Sequence, residues 1–402
     1  MKPVEVVLRN INVDTQSDTR ILHDINVVFP KGELTAIMGA SGAGKTTLMN
    51  CMSKINTSDL KVTGEMLVNG KDYGTNVSAI SAYVQQSDLF FGEMTPKQHL
   101  IFNATMLGLK EDVESRVEEV ITDMNLTPFM NTKIGSPKLG WNLSGSERKR
   151  LSFATKILVR VPLLFCDEPT TGLDSKLAAN VVSSLRAIAN KGTTVLCTIH
   201  QPASQTFEKF DNLLLLAQGK LVYFGSRTST KDHFKHELEV PCPDNYNPAD
   251  HYINATAVRP KTAQQCLENI NKYADIFANS FTQRETVRYI NSIEREEVVN
   301  PKKQWQKPSF RQQFAMLFWR SAIEQWTNYK VLGFRIAQAI FLAVLLGLMY
   351  LKSPGKEYVG FQVKNDTEYC KNNETGNLVP AISDQILDRL GTRINKEVEI
   401  FG

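Results

Sequence analysis

Nine consecutive residues, Gly39-Ala40-Ser41-Gly42-Ala43-Gly44-Lys45-Thr46-Thr47, constrain this chain more than any other stretch, because they fit the spacing G-x-x-x-x-G-K-[ST]. Glycines so placed let successive backbone N–H groups turn inward around an anion, and a helix starting there adds partial positive charge. The flanks agree: the apolar run Leu34–Met38 predicts a buried strand, and residues 45–52 predict a helix. In that order the stretch reads as a phosphate-binding loop, with Lys45 reaching the β- and γ-phosphates of a nucleotide and Thr46 on Mg²⁺. A glycine-rich turn that happens to precede Lys-Thr looks the same in isolation, so the decision falls to the motifs downstream.

A chain of 402 residues can hold two or more domains, and 42% hydrophobic with 22% charged residues suits a globular core. The net charge of +4 gives no case for nucleic acid as a partner. Cys51, Cys166, Cys197, Cys242, Cys266 and Cys370 form no C-x-x-C pair, which argues against a zinc site or a disulfide framework, and the first five read as reduced cytosolic thiols. Residues 1–10 carry no apolar core of a signal peptide.

Along the chain, residues 4–8 and 21–29 alternate as strands do. Residues 10–13, where a ring could stack on adenine, offer no aromatic, so base stacking is weak or supplied elsewhere. Residues 80–84 read as another strand, and Gln86 just beyond it can place an amide oxygen on Mg²⁺ or its water. Residues 95–126 turn helical and polar-faced, predicting a helical subdomain inserted into the α/β core at about 88–160. Ser144 and Glu147 have capping-box spacing at the start of LSGSERKR. That helix start is simply well capped, or it aims its free N–H groups at a phosphate held by a different chain. The apolar run 163–166 ends in Asp167 and Glu168, the form of a buried parallel strand delivering carboxylates to its C-terminal edge. Asp167 would then hold the Mg²⁺ shell and Glu168 polarise the attacking water. A second buried run, 193–199, presents His200 at its end.

The order GASGAGKTTLMN, Gln86, LSGSERKRLSFA, CDEPTTGLDS and TIHQP resembles the nucleotide-binding domain of an ABC transporter, most closely subfamily G in its White or eye-pigment-precursor branch. The stretch CPDNYNPAD at 242–250 is similar to the segment that closes that domain. The resemblance implies a P-loop NTPase fold, ATP and Mg²⁺ as cofactors, and a dimer with a second half-transporter subunit, the same or different. In such a dimer each ATP lies between one subunit's P-loop and the other's signature helix. It assigns catalytic roles to Glu168, His200 and Gln86. Nucleotide contacts fall to Gly39 through Thr47, Ser144, Gly145, Ser146 and Asp174, and the metal to Thr46, Gln86 and Asp167. Ser146 stands where the family carries a second signature glycine, and its side chain is expected to loosen the composite site.

The expected organisation is a nucleotide domain over 1–255, a linker with short helices over 256–307, an amphipathic connecting helix over 308–330 and a membrane helix over 331–351. The connecting segment shows Phe310, Phe314, Leu317, Trp319 and Trp326, fitting a membrane interface or a helix packed on the nucleotide domain. Residues 336–351 read IAQAIFLAVLLGLMYL, and 331–351 give the ~20 residues that a spanning helix needs. Lysines and arginines on both sides leave the span unoriented, so placing the nucleotide domain in the cytosol rests on the need for ATP. Residues 352–402, with sequons at Asn365 and Asn373, depart from the family pattern, since further spans are expected and none follows. Two functional expectations result. One is an ATP-hydrolysing half-transporter subunit with a complete motor and a truncated pathway, single-pass in the membrane. The other is a truncated, membrane-tethered partner that regulates or poisons a full-length half-transporter. A soluble ABC protein acting on ribosomes fits less well, with one nucleotide domain and a span.

Overall fold

The computed structural model describes residues 2–87, 90–109, 112–136, 140–294, 308–327 and 329–351, with short pieces at 370–371 and 378–379. The sequons at Asn365 and Asn373 lie outside the described residues. The chain divides into two units, 1–332 and 333–402.

The first unit opens with β1 (Val6–Thr15) and β2 (Arg20–Phe29), then β3 (Leu34–Met38), helix α1 (Lys45–Ser53), β4 (Leu60–Val68), β5 (Lys71–Asp72) and β6 (Ser81–Val84). A helical layer follows: α2 (Pro96–Leu107), α3 (Val113–Asp123), the two-residue strands β7 (Gly135–Ser136) and β8 (Gly140–Trp141), and α4 (Gly145–Ile157). The core resumes with β9 (Leu163–Cys166), α5 (Ser175–Asn190), β10 (Thr194–Thr198), a short α6 (Ser204–Phe207), β11 (Asn212–Ala217) and β12 (Lys220–Ser226).

Two sheets result. One is antiparallel, in the order β2-β1-β4-β5, and the other runs β12-β11-β3-β10-β9-β6. In the second, β11, β3, β10, β9 and β6 are parallel and β12 closes one edge antiparallel. Every residue of β3, β9, β10 and β11 is buried, as a parallel sheet covered on both faces requires. The helical layer is therefore an insertion between β6 and β9, which are neighbours in the sheet. Within it, α3 and α4 cap each other. Arg116 on α3 donates to the carbonyls of Ile157 (2.5 Å) and Leu158 (3.0 Å), and Arg150 on α4 donates to those of Met124 (3.1 Å) and Asn125 (2.9 Å). Each arginine satisfies carbonyls that a helix end leaves unbonded and places its charge at the negative pole of the helix dipole.

After the sheet come a single turn, α7 (Thr230–Asp232), then α8 (Pro248–Ala255), α9 (Ala263–Ala278) and α10 (Phe281–Ser292). The segment expected to be a linker with short helices carries two amphipathic ones, of 16 and 12 residues, and both pack back on the sheets. Ile270, Tyr273 and Phe277 of α9 are buried in the main core. Ile290 of α10 joins Val7 and Leu67 in a separate small core, while Gln283 donates to the Asn26 carbonyl (2.9 Å). Their apolar residues are spread among charged ones, so average composition hides the buried stripe.

Helix α11 (Phe310–Thr327) presents Phe310, Phe314 and Phe318, stacked in succession at 6.3 Å, to the outside. Its Arg320 guanidinium lies 4.7 Å above the Phe91 ring and 5.8 Å from that of Phe102 on α2. One side of this helix thus meets the helical layer, and the other is apolar and exposed. Helix α12 (Tyr329–Leu351), most of which belongs to the second unit, is long and apolar enough by length and composition to cross a membrane, and its large side chains, among them Phe334, Phe341 and Leu348, are exposed.

Candidate functional site

Four adjacent strands of the parallel sheet end at one edge, and each end carries residues singled out from the sequence. The loop 39–44 follows β3, His200 follows β10, Asp167 and Glu168 follow β9, and Gln86 follows β6. Because the strands are parallel and neighbouring, residues far apart in sequence converge where ligands of α/β sheets bind.

The loop after β3 needs glycine at two positions. Gly39 has φ 150°, and a Cβ there would run into the Leu216 carbonyl. Gly44 has φ 100°, begins α1, and a Cβ would stand 2.7 Å from the Leu22 side chain. Ser41, Gly42 and Thr46 are exposed, Ala40 and Thr47 partly so, and Ala43 is buried. Lys45 is 7% exposed, and its ammonium donates to the carbonyls of Gly39 (2.9 Å) and Ala40 (3.0 Å). An ammonium carries three donors, so one remains for a phosphate oxygen. Burial holds the Lys45 pKa below its ordinary value, opposed by the nearby carboxylates of Glu168 and Asp167.

Those carboxylates are held from several strands at once. Asp167 accepts from the Thr198 hydroxyl (2.7 Å) and from the Tyr83 phenol (3.1 Å). The same Thr198 oxygen accepts the Glu168 N–H (2.8 Å), so one hydroxyl on β10 fixes both acids. Burial, then the charge of Asp167, pushes the Tyr83 phenol well above its usual pKa and keeps it a donor. Glu168 has φ 42°, a strained conformation for a side chain of this size, and its carboxylate accepts from the Gln86 amide (2.9 Å) and the Thr171 hydroxyl (3.0 Å). With the Gln86 nitrogen turned to Glu168, its amide oxygen is left to face a cation. Thr46, Gln86 and Asp167 together supply oxygen donors with a single carboxylate, which fits Mg²⁺ better than a softer metal. His200 is exposed and lines, with Glu168, Thr171 and Gly172, a surface depression of about 530 Å³.

The helix start at Ser144 is organised differently. Ser144 and Glu147 form the expected reciprocal cap, Glu147 accepting the Ser144 N–H (2.8 Å) and the Ser144 hydroxyl accepting the Glu147 N–H (3.4 Å). Among the described residues, no hydrogen bond joins Ser144 or Gly145 to the loop, Asp167, Glu168 or Gln86. Gly145 lies against Leu173, where a Cβ would come within 2.6 Å of the leucine methyl, and Asp174 spends its carboxylate capping α5 at Leu177 N–H (2.8 Å). Ser146, whose side chain is expected to loosen the composite site, is the second residue of α4 and is only 3% exposed.

Three residues of the site were not singled out from the sequence. Thr198 and Tyr83 sit inside apolar strands and look like strand residues, although Thr198 stands two places before His200, on the face that reaches the acids. Lys149, within LSGSERKR, is 5% exposed and donates to the Gln86 carbonyl (2.5 Å), tying α4 to the end of β6. A run of one acidic and three basic residues, 147–150, gave no sign that this one turns inward.

The family model described as "ABC transporter" matches residues 22–171, and that described as "ABC-2 type transporter" matches residues 200–327. Among curated relatives, Protein white of Drosophila melanogaster is 39% identical over 335 residues, 81% of this chain and 48% of that protein. The ABC transporter ATP-binding protein/permease wht-1 of Caenorhabditis elegans is 36% identical over 373 residues, 88% of this chain and 55% of its own length. Protein scarlet of Drosophila melanogaster is 35% identical over 366 residues, 89% of this chain and 55% of that protein. The chain spans about half the length of the curated relatives it matches. A P-loop, paired acids at a strand end and a capped signature helix, together with these matches, place the chain among the ABC transporters, in the White-like subfamily G of half-transporters.

Proposed function

We propose that this chain is the ATP-binding and ATP-hydrolysing subunit of a subfamily G half-transporter, which drives transport after pairing with a second half-transporter subunit, identical or different. One observation carries the reading: a single sheet edge gathers Lys45, Gln86, Asp167 and Glu168, while among the described residues the Ser144 helix start makes no hydrogen bond to these side chains and carries its own reciprocal cap. Such a division suits a site completed by two chains. The loop N–H groups and the free donor of Lys45 bind the β- and γ-phosphates. Mg²⁺ bound with the nucleotide neutralises charge on the transferring phosphoryl group, and Thr46, Gln86 and Asp167 are the residues that would hold it. Glu168 takes the proton of the attacking water, with Gln86 and Thr171 fixing its carboxylate and His200 facing the same space. Ser144 and Gly145 meet the γ-phosphate held by the partner, with Asp174 beside them. The α12 helix anchors the chain in a membrane, the Phe310, Phe314 and Phe318 stripe lies at its interface, and the nucleotide domain faces the cytosol, where ATP is.

Nucleotide affinity and phosphate release, measured separately, test this. Glu168→Gln keeps the geometry but cannot accept a proton, so ATP binding persists while turnover falls about 10²–10⁴-fold. Lys45→Ala removes the phosphate's charge partner and weakens binding itself. Turnover in Glu168→Gln equal to wild type would remove Glu168 from the catalytic role.

A further inference from the structure

The first strands bring no large ring to a nucleotide base: residues 2–28 contain no Phe, Tyr or Trp, their one ring being the His23 imidazole on β2, and Phe29 is fully buried. Elsewhere in the nucleotide unit one large ring is held at the surface next to a nucleotide-facing element. Trp141 ends β8, three residues before Ser144, and is 36% exposed. The other three tryptophans, at 305, 319 and 326, all come after the nucleotide domain.

Trp141 is also fixed. Its strand pairs with β7, Gly135 opposite Trp141, and the following Asn142 and Leu143 N–H groups return to the Ile134 carbonyl (3.2 and 3.4 Å). The Arg148 guanidinium lies 4.3 Å from the indole centroid, and Arg148 is itself tethered by donating to the Leu143 carbonyl (2.8 Å). One ring is thus clamped between a hairpin and the first turn of α4, with surface left open to solvent. A rigid, partly exposed indole is a stacking platform for a planar base.

We infer that Trp141 stacks on the adenine of the ATP held by the partner's P-loop, supplying from across the dimer a large ring that residues 2–28 do not offer. The inference rests on the composite-site reading above and adds to it a residue that selects the base. In that reading the γ-phosphate meets Ser144 and Gly145, the base lies over the segment leading into α4, and Trp141, three residues before Ser144, is the exposed ring there. Purines stack on an indole more strongly than pyrimidines, so the platform favours ATP over CTP.

The test uses the full chain in two differently tagged copies. With Trp141→Ala in both copies, KM for ATP rises about tenfold, kcat changes less than twofold, KM for CTP barely moves, and Trp141→Phe restores most of the ATP affinity. Mixed dimers then separate the two sides. When one copy carries Lys45→Ala, only the other copy's P-loop works. Trp141→Ala placed in the Lys45→Ala copy raises KM at the surviving site, and placed in the intact copy it does not. A KM rise that follows the intact copy, an equal rise for ATP and CTP, or an unchanged KM would overturn the inference while dimer-dependent hydrolysis still stands. Wild-type hydrolysis independent of dimer formation would overturn the composite site and this inference with it.

Discussion

The P-loop edge and the face of α4 solve opposite problems. At the edge, each functional group is positioned by buried strands and by partners from other parts of the same chain: Thr198 and Tyr83 hold Asp167, while Gln86 and Thr171 hold Glu168. At the start of α4, Ser144 and Glu147 satisfy each other, and the surface beyond carries an exposed Trp141. A site that must bind alone is prearranged from within. A surface that completes someone else's site needs only to keep its own shape until the other molecule arrives. The two are tied together where Lys149 of α4 donates to the Gln86 carbonyl and where Gly145 lies against Leu173.

Three substitutions sharpen or break this contrast. The largest effect is expected at Thr198, whose hydroxyl serves Asp167 and Glu168 together. Thr198→Val strands a hydrogen bond to a charged group and a backbone N–H, and should cost about 3 kcal/mol in urea unfolding and reduce ATP turnover. Unchanged unfolding and turnover would mean that the edge is not locked from within. His99, in the helical layer, comes next. Burial lowers its pKa to about 4, against an ordinary 6.5, so the folded form stays neutral where the unfolded chain takes up a proton. Its contribution is fully present above pH 6.5 and is lost as pH falls toward 4, amounting to about 2 kcal/mol by pH 5. Urea midpoints at pH 7 and pH 5 should differ accordingly, and His99→Gln should flatten the difference; an equal drop in that variant would assign it to other groups. The smallest effect belongs to the self-contained cap. Ser144→Ala should cost about 1 kcal/mol, a shift of about 2–4 °C in Tm, without altering the P-loop's own affinity for nucleotide in the isolated chain. A loss of that affinity would join the two regions that the structure separates.

The sequence made the edge legible and left its supports obscure. Gly39 through Thr47, Gln86, Asp167, Glu168 and His200 could be found because each terminates an apolar run, and ends of runs are visible in one dimension. The alternation of strands and helices likewise pointed to the α/β core and its helical insertion. Tyr83 and Lys149 lie inside their elements, and Thr198, though it ends β10, reads as one more residue of the apolar run 193–199; their roles depend on which strand lies next to which, an order of β3-β10-β9-β6 that no local pattern contains. Position along a motif likewise does not say which way a helix turns a side chain, and Ser146 is buried. Helices α9 and α10 were read as part of a linker because their buried residues are too few to dominate a window of charged neighbours.

Arg9 on β1 donates to the carbonyls of Ile290 (2.5 Å) and Ile293 (2.8 Å), partners 281 and 284 residues away. A strand among the first parts of the chain to be synthesised therefore acquires its last contacts only after α10 has left the ribosome. At about 5–20 residues per second, that wait is about 15–60 s. Through this interval Val7 and Leu67 lack Ile290, the residue that completes their small core. The antiparallel sheet spends its early life with a small apolar patch uncovered, open to a chaperone until α10 arrives.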